Sequence, residues 1–586
     1  MLGKMRNLIL GLLIILSTLE INAMESDKDD QFRNTSLIEM PNTTWRDDKT
    51  GDWLLGIYPE GVVYDCQFWN YVEGAQKNDN ELKITNGKKQ ILINVGVKKN
   101  GKRKFVINGK KYSCSVFTGN LPDYPKKDKE QDFVDNGYRV DTATIVGWMR
   151  YSPWSNYKAH VNYTTFCAGF VTNTYEVDCF SRIDSLGRFI IKVPLLNSSS
   201  VQVYAGYYPF TLPLEPGKTY YMMNDFNNHQ TIFMGDGSRV LNELINNPIA
   251  PNELYDILKK IKGKQVDIDK LPSMLEPAWD SVLGKIADVS RAKPKISSRY
   301  LKFMRVAIHG LVSSIVYESR NTSHYSSNIY KPSIRDFIVG RLLPDLEKPY
   351  TLWDKNGKSL PTIMRYLSPG KTTLENLTLV NADKELRSLL MATEGFFWQM
   401  SHQDTLRESK LKMYQTEISI PCLLKKLETK NNYLENLIEK TKTYHPLADT
   451  INYEGITDGE EILRKIIAPY KGRYVIVDFW GSWCGACRVD MKQWKQKKVK
   501  YFKYDPVYIF LAFDTPDKLW KQFILDLELT DKNMYHYNLS KDQGRSVRNA
   551  YKAGMFPNYL IFDKEGTCKS NNNDFNSIDF YFNNLK

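Results

Sequence analysis

Long apolar runs are nearly absent from this chain: after Leu8–Leu16, no segment of the 586 residues approaches the length of a bilayer span. Histidine is scarce as well. The seven histidines are scattered, and no pair stands at metal-ligand spacing beside a carboxylate, so no metal centre is expected. Low-complexity tracts are missing, and so are zinc-finger, recognition-helix and RNP motifs. The net charge of +13 therefore lacks the apparatus of a nucleic-acid reader, and no nucleic-acid partner is expected. Lysines are spread over every region, which suits a solvated basic surface. Attraction to an anionic membrane face or an acidic partner is the lesser option.

The composition is that of a folded protein, with 42% hydrophobic, 25% charged and 13% aromatic residues. The chain is too long for one core, so about three to four domains are expected. The first residues bear on the compartment. Lys4 and Arg6 precede the apolar run, and Ile21-Asn22-Ala23 offers a small residue for cleavage. Residues 1–23 thus read as a signal peptide, with an uncleaved anchor as the alternative. No cysteine follows, which excludes a lipoprotein anchor at that point. The expectation is an exported, soluble, periplasmic or cell-envelope protein without stable membrane insertion after cleavage.

Residues 24–50 are polar and read as a flexible lead-in. Residues 51–136 form a β-rich module with hairpin signals at Asn86-Gly87, Asn100-Gly101 and Asn108-Gly109, followed by a Pro- and Lys-rich linker at 121–129. Residues 137–237 read as an antiparallel β-sandwich, with turn-and-strand patterns at Arg182–Val193 and Leu214–Tyr220. From 238 to 445 the apolar period becomes helical, giving an all-α module in which His309 is a core histidine. Residues 446–586 return to alternation. Strands are expected at Tyr474–Trp480, Val507–Phe513, Met534–Leu539 and Tyr559–Phe562, with a final short strand after the turn at Lys564–Gly566. Helices are expected from Cys484 to about Lys498, at Asp517–Leu527 and at Gln543–Lys552. The fold class is thus multidomain: N-terminal all-β sandwich modules, a central all-α module and a C-terminal α/β domain.

Export changes how the eight cysteines read. Cys66, Cys114, Cys167 and Cys179 fall in the β-rich half. A Cys167–Cys179 bridge across Val171–Thr174 is one option, but pairing is not legible from spacing. Cys422 and Cys568 read as isolated packed thiols. Cys484 and Cys487 differ. They follow the β-branched run ending in Asp478-Phe479-Trp480 and sit three residues apart at a helix start. The first of them faces unpaired N–H groups that favour a thiolate. Such a pair suits reversible thiol–disulfide chemistry. Zinc ribbons and packed thiols share the motif, although a zinc site would need two more ligands and none stands at zinc spacing.

The strand ending in Asp478-Phe479-Trp480, the Trp483-Cys484-Gly485-Ala486-Cys487 turn, Phe556-Pro557 before a strand, and the hairpin after it together resemble the thioredoxin superfamily. The 70 positions from Cys487 to Pro557 leave room for an extra helix–strand piece near 517–539, which resembles the central insertion of the exported TlpA/ResA-like thiol–disulfide oxidoreductases. The resemblance covers about 140 residues and implies a thioredoxin-like fold. It makes Cys484 and Cys487 the redox-active disulfide, with Cys484 as attacking thiolate and Cys487 as resolving thiol. It also makes Asp478 a buried acid assisting proton transfer, for which an ordinary strand-end carboxylate is the alternative. Pro557 would be a cis-proline that turns the Phe556 backbone toward substrate, and Trp483 an apolar wall beside Cys484. No cofactor is implied.

Two positions depart from the family pattern. Ala486 and Lys492 stand where many relatives carry proline, which leaves the redox potential open. The lysines 492, 495, 497, 498 and 500 could lower the Cys484 pKa or simply solvate a helix face. With the upstream modules, the chain resembles multidomain envelope proteins of Bacteroidetes-type bacteria. The expected function is periplasmic exchange with disulfide-containing envelope proteins, as a reductant recharged by a membrane-embedded electron donor. The alternative is an envelope binding or scaffolding protein with a secondary or degenerate thioredoxin-like domain.

Overall fold

A computed structural model describes residues 42–585 apart from 73–79, 118–123, 125–131, 154–157, 164–167, 173–176, 207–208, 247–248, 264–265, 293–295, 321–329, 353–358, 449–454, 495–497 and 499. The signal-peptide reading at 1–23, most of the 121–129 linker and Cys167 therefore lie outside the described residues. The chain divides into two compact units, Met1–Leu390 and Met391–Lys586.

The first unit begins with eight strands, from Thr43–Asp47 to Lys110–Val116, that pair in sequence order and close through Trp45 against Val116. This module is a closed barrel and not the sandwich expected. Its first strand lies inside the stretch read as a flexible lead-in, held there by burial of Thr44 and Trp45. Alternation gives the barrel an inner and an outer face, with a bulge between Trp53 and Leu55 reversing it locally. Leu55, Ile57 and Val62 fill the barrel with Trp45, Trp69 and Phe105. The outward-facing Trp53, Tyr58 and Val63 pack against Trp148, Tyr221 and Met234 of the next module.

That module holds two four-stranded sheets. It differs from the expected antiparallel sandwich in one pairing: Thr219–Asp225 runs parallel to Asp141–Arg150. Asp141–Arg150 has the antiparallel neighbour Arg188–Leu195 on its other side, and the parallel strand Thr219–Asp225 joins it after the second sheet is complete. Between 238 and 445 every described element is helical, including a 22-residue helix Ser298–Ser319 in which His309 is buried.

In the second unit, five strands line up in the order Met534–Leu539, Val507–Phe513, Val475–Trp480, Asn558–Phe562, Cys568–Asn572. The first three are parallel and the last two antiparallel. Val475–Trp480 is buried along its whole length because both faces are covered. Val475, Val477 and Phe479 meet helices Gly459–Ile467 and Lys541–Ala550. Ile476 and Trp480 face the side covered by Gly485–Met491, Asp517–Asp526 and Asn576–Asn583. The long helix Pro421–Thr441 packs on Asp517–Asp526. Near it, the Lys518 ammonium pairs with Asp404 at 3.0 Å, and Gln522 donates to the Gln403 carbonyl at 2.9 Å. No described helix is long and apolar enough to cross a membrane.

Candidate functional site

The site begins where the central strand ends. Trp480 leads into a tight turn in which Cys484 N–H donates to the Gly481 carbonyl at 2.9 Å. Ser482 N–H bonds Thr515 Oγ1 at 3.0 Å, and the Trp483 indole donates to the Phe513 carbonyl at 3.2 Å. These bonds tie the turn to the end of the neighbouring strand. The chain then enters helix Gly485–Met491 with Cys484 as its N-cap. Expected to run to about Lys498, the helix ends at Met491. Lys495 and Lys497 lie outside the described residues.

Cys484 and Cys487 are joined in a disulfide, with Cα atoms 5.3 Å apart. Cys487 N–H donates to Cys484 Sγ at 3.1 Å, so one orphan N–H of the helix start points at the first sulfur. Exposure separates the two cysteines: Cys487 is fully buried and Cys484 is 6% exposed. An incoming sulfur can therefore approach only Cys484.

Asp478 shares the strand face of Ile476 and Trp480, the face covered by the redox helix. It is 1% exposed. One carboxylate oxygen accepts the Trp494 indole N–H at 2.9 Å, while the other has no hydrogen-bond partner. Burial pushes its pKa up to about 7. The indole bond opposes the rise and the neighbouring Asp490 charge adds to it. Asp490 in turn accepts the Tyr559 hydroxyl at 2.8 Å, and Tyr559 pairs with Asp478 across the sheet. A carboxyl near half-ionisation at neutral pH can take up and return a proton.

The peptide bond between Phe556 and Pro557 is cis, as the resemblance implied. Phe556 meets the Trp483 ring edge-on at 5.2 Å, and Trp483 is itself 57% exposed. The structure thus brings Cys484, Cys487, Trp483 and Phe556 together and puts Asp478 on the covered face of the same strand. Trp494, Asp490 and Tyr559 were missed. Asp490 and Trp494 follow Cys487 by three and seven positions, one helical face, and that spacing was the available signal. Of the remaining thiols, Cys114 is buried inside the barrel, Cys66, Cys179 and Cys422 are half-buried, and Cys568 is exposed.

Residues 472–568 match the thioredoxin-like family. The thiol-disulfide oxidoreductase ResA of Bacillus cereus is 27% identical over 96 residues, 16% of this chain and 52% of that protein. ResA of Bacillus anthracis is 28% identical over 96 residues, with the same coverage of 16% and 52%. The chain spans about half the length of the curated relatives it matches. Among solved structures, the thioredoxin domain of a thiol-disulfide oxidoreductase from Bacteroides vulgatus is 23% identical, covering 20% of this chain and 83% of that one with a TM-score of 0.18. A thiol:disulfide interchange protein from Bacteroides sp. is 24% identical, covering 20% and 78%, also with a TM-score of 0.18.

Proposed function

Residues 472–568 form a thioredoxin-superfamily domain, and from that premise we propose that the chain is an exported thiol–disulfide oxidoreductase acting on proteins of the cell envelope. One observation carries the reading: the disulfide joins a near-surface sulfur to a buried one above a strand whose buried carboxyl has its pKa close to neutral. In the reductive direction, the Cys484 thiolate attacks one sulfur of a substrate disulfide. A mixed disulfide forms and the first substrate thiolate leaves. Cys487 then loses its proton to the Asp478 carboxylate and attacks Cys484 Sγ. The second substrate thiolate leaves and takes up a proton, and the two electrons have passed from the pair to the substrate. A membrane-embedded dithiol donor would reduce the pair again. Trp483 and Phe556 offer apolar surface beside the sulfur under attack.

The test is trapping. Cys487→Ala protein leaves the mixed disulfide unresolved, so adducts through Cys484 should accumulate in the cell envelope, and Cys484→Ala should give none. Adducts absent from both variants would overturn the proposal.

A further inference from the structure

Trp483, the residue before Cys484, and Phe556, the residue before the cis-proline, open onto a cleft of about 470 Å³. Trp483, Phe513 and Phe556 give it aromatic surface, with Phe556 edge-on to Phe513 at 5.1 Å. Helix Lys541–Ala550 forms the opposite wall. It lies close to the sheet because Gly544 has no side chain: a Cβ there would stand 2.8 Å from Phe513 Cδ1. Lys541, Arg545 and Arg548 recur at helical spacing on the side lining the cleft, and Lys552 follows just past the helix end.

These cations differ in what they already hold. Arg548 is committed, since its guanidinium donates to the carbonyls of Ala553 and Gly554 at 2.8 Å each and braces the loop leading to Phe556. Lys541 and Lys552 are exposed, and among the described residues neither has an ion-pair partner. Arg545 pairs with Asp542, 3.7 Å away and 92% exposed, a pairing worth little. Among the described residues, Asp514 is the one carboxylate lining the cleft. Three cations thus surround an aromatic surface that includes Trp483, the neighbour of Cys484 in the chain, without being neutralised from within.

We propose that this cleft selects acidic substrate segments: an extended polypeptide with Asp or Glu residues beside its disulfide, whose apolar side chain rests on Trp483, Phe513 and Phe556. The inference deepens the exchange reading above and rests on it. A concave site with an aromatic floor suits a peptide better than a bilayer surface, which would meet the lysines and leave the floor empty. Exposed charges of this kind act mainly on the rate of encounter and weaken with salt.

The experiment uses the full chain, reduced and freed of reductant. It is mixed with peptides that carry one internal disulfide flanked by Glu or by Lys, and the rate of conversion to oxidised protein and peptide dithiol is read by thiol labelling. The Glu peptide should react about tenfold faster at low ionic strength, with the preference fading at high salt. A K541E/R545E/K552E variant should lose or reverse the preference. A K88E/K89E/K111E variant on the barrel hairpins, with the same change in net charge, should keep it. Bis(2-hydroxyethyl) disulfide, which has no charge, should react equally with all three proteins.

Equal rates for the two peptides, or a preference lost equally in the barrel variant, would overturn the inference and leave exchange standing. So would cleft-dependent binding to phosphatidylglycerol vesicles that the Glu peptide does not compete away. No reaction of wild-type protein with the uncharged disulfide would remove the exchange reading and this inference together.

Discussion

Replacing Asp478 with asparagine should make the C-terminal unit more stable and its exchange chemistry slower. The carboxyl is buried, one oxygen is bare, and its pKa stands near 7 against 3.8 for an unhindered aspartate. The folded-state value lies above the unfolded one, so the folded chain holds the proton more tightly between them. Stability is full below about pH 4 and falls as pH rises toward about 7, where the buried group must ionise. A shift of about three units at about 1.4 kcal/mol each puts the loss near 4 kcal/mol. Asparagine fills the same space, keeps an oxygen for the Trp494 indole and never ionises. Asp478→Asn should therefore gain up to about 4 kcal/mol over wild type above pH 7 and almost nothing at pH 4.

Hydrogen exchange of peptides covering Val475–Trp480, compared between variants at the same pH, reads this difference with intrinsic exchange rates cancelled. Loss of the proton acceptor should also slow resolution of the mixed disulfide by about 10²-fold or more. A stability difference that does not change with pH, or a wild type more stable at pH 8, would refute the reasoning.

Three further outcomes follow from other contacts. Trp494→Phe removes the one donor to Asp478, so the pH midpoint of exchange should move upward and stability should fall by about 1–3 kcal/mol at neutral pH; a pH–rate profile and hydrogen exchange check both. Gly459→Ala would place a Cβ 2.3 Å from the Ser546 carbonyl, against rigid backbone, and should cost about 1–3 kcal/mol read as faster exchange in Gly459–Ile467. Arg150, 2% exposed, pairs with Asp225 at 3.2 Å and Glu60 at 3.1 Å where the barrel meets the sandwich. Arg150→Ala leaves Asp225 buried without its counter-ion and should cost about 3–5 kcal/mol, measured as lowered resistance of the full chain to proteolysis.

The second unit was the most legible part of the chain. Val507–Phe513 and Met534–Leu539 form with the expected bounds because each is a short run fixed between turn residues. The closing helix Asn576–Asn583 was missed, since it is only eight residues long and its Ile578, Phe580, Tyr581 and Phe582 are β-branched or aromatic residues that favour strands, while its helical spacing shows only in the buried Ile578 and Phe582. In the first unit, the Asn-Gly hairpins were readable but closure was not. Alternation says that Val62 and Val63 face opposite ways, and nothing local says that both faces are covered. At the site, the cysteine spacing at a helix start allowed a disulfide, and the surrounding strand, tryptophan and proline motifs pointed to it. The indole on Asp478 comes from Trp494, beyond the end of the redox helix, and its ring is seated by packing against Tyr508, Phe510 and Phe575, contacts distant in sequence. The cleft was illegible for a similar reason: its aromatic and basic walls come from segments up to about 70 residues apart.

The most direct test of the account is the redox equilibrium of the native chain in graded glutathione buffers, with Cys484 and Cys487 followed by alkylation and mass analysis. The account predicts one reversible two-electron transition at this pair under native conditions, with the other described thiols unchanged across it. A pair that opens only when the protein is unfolded would contradict it.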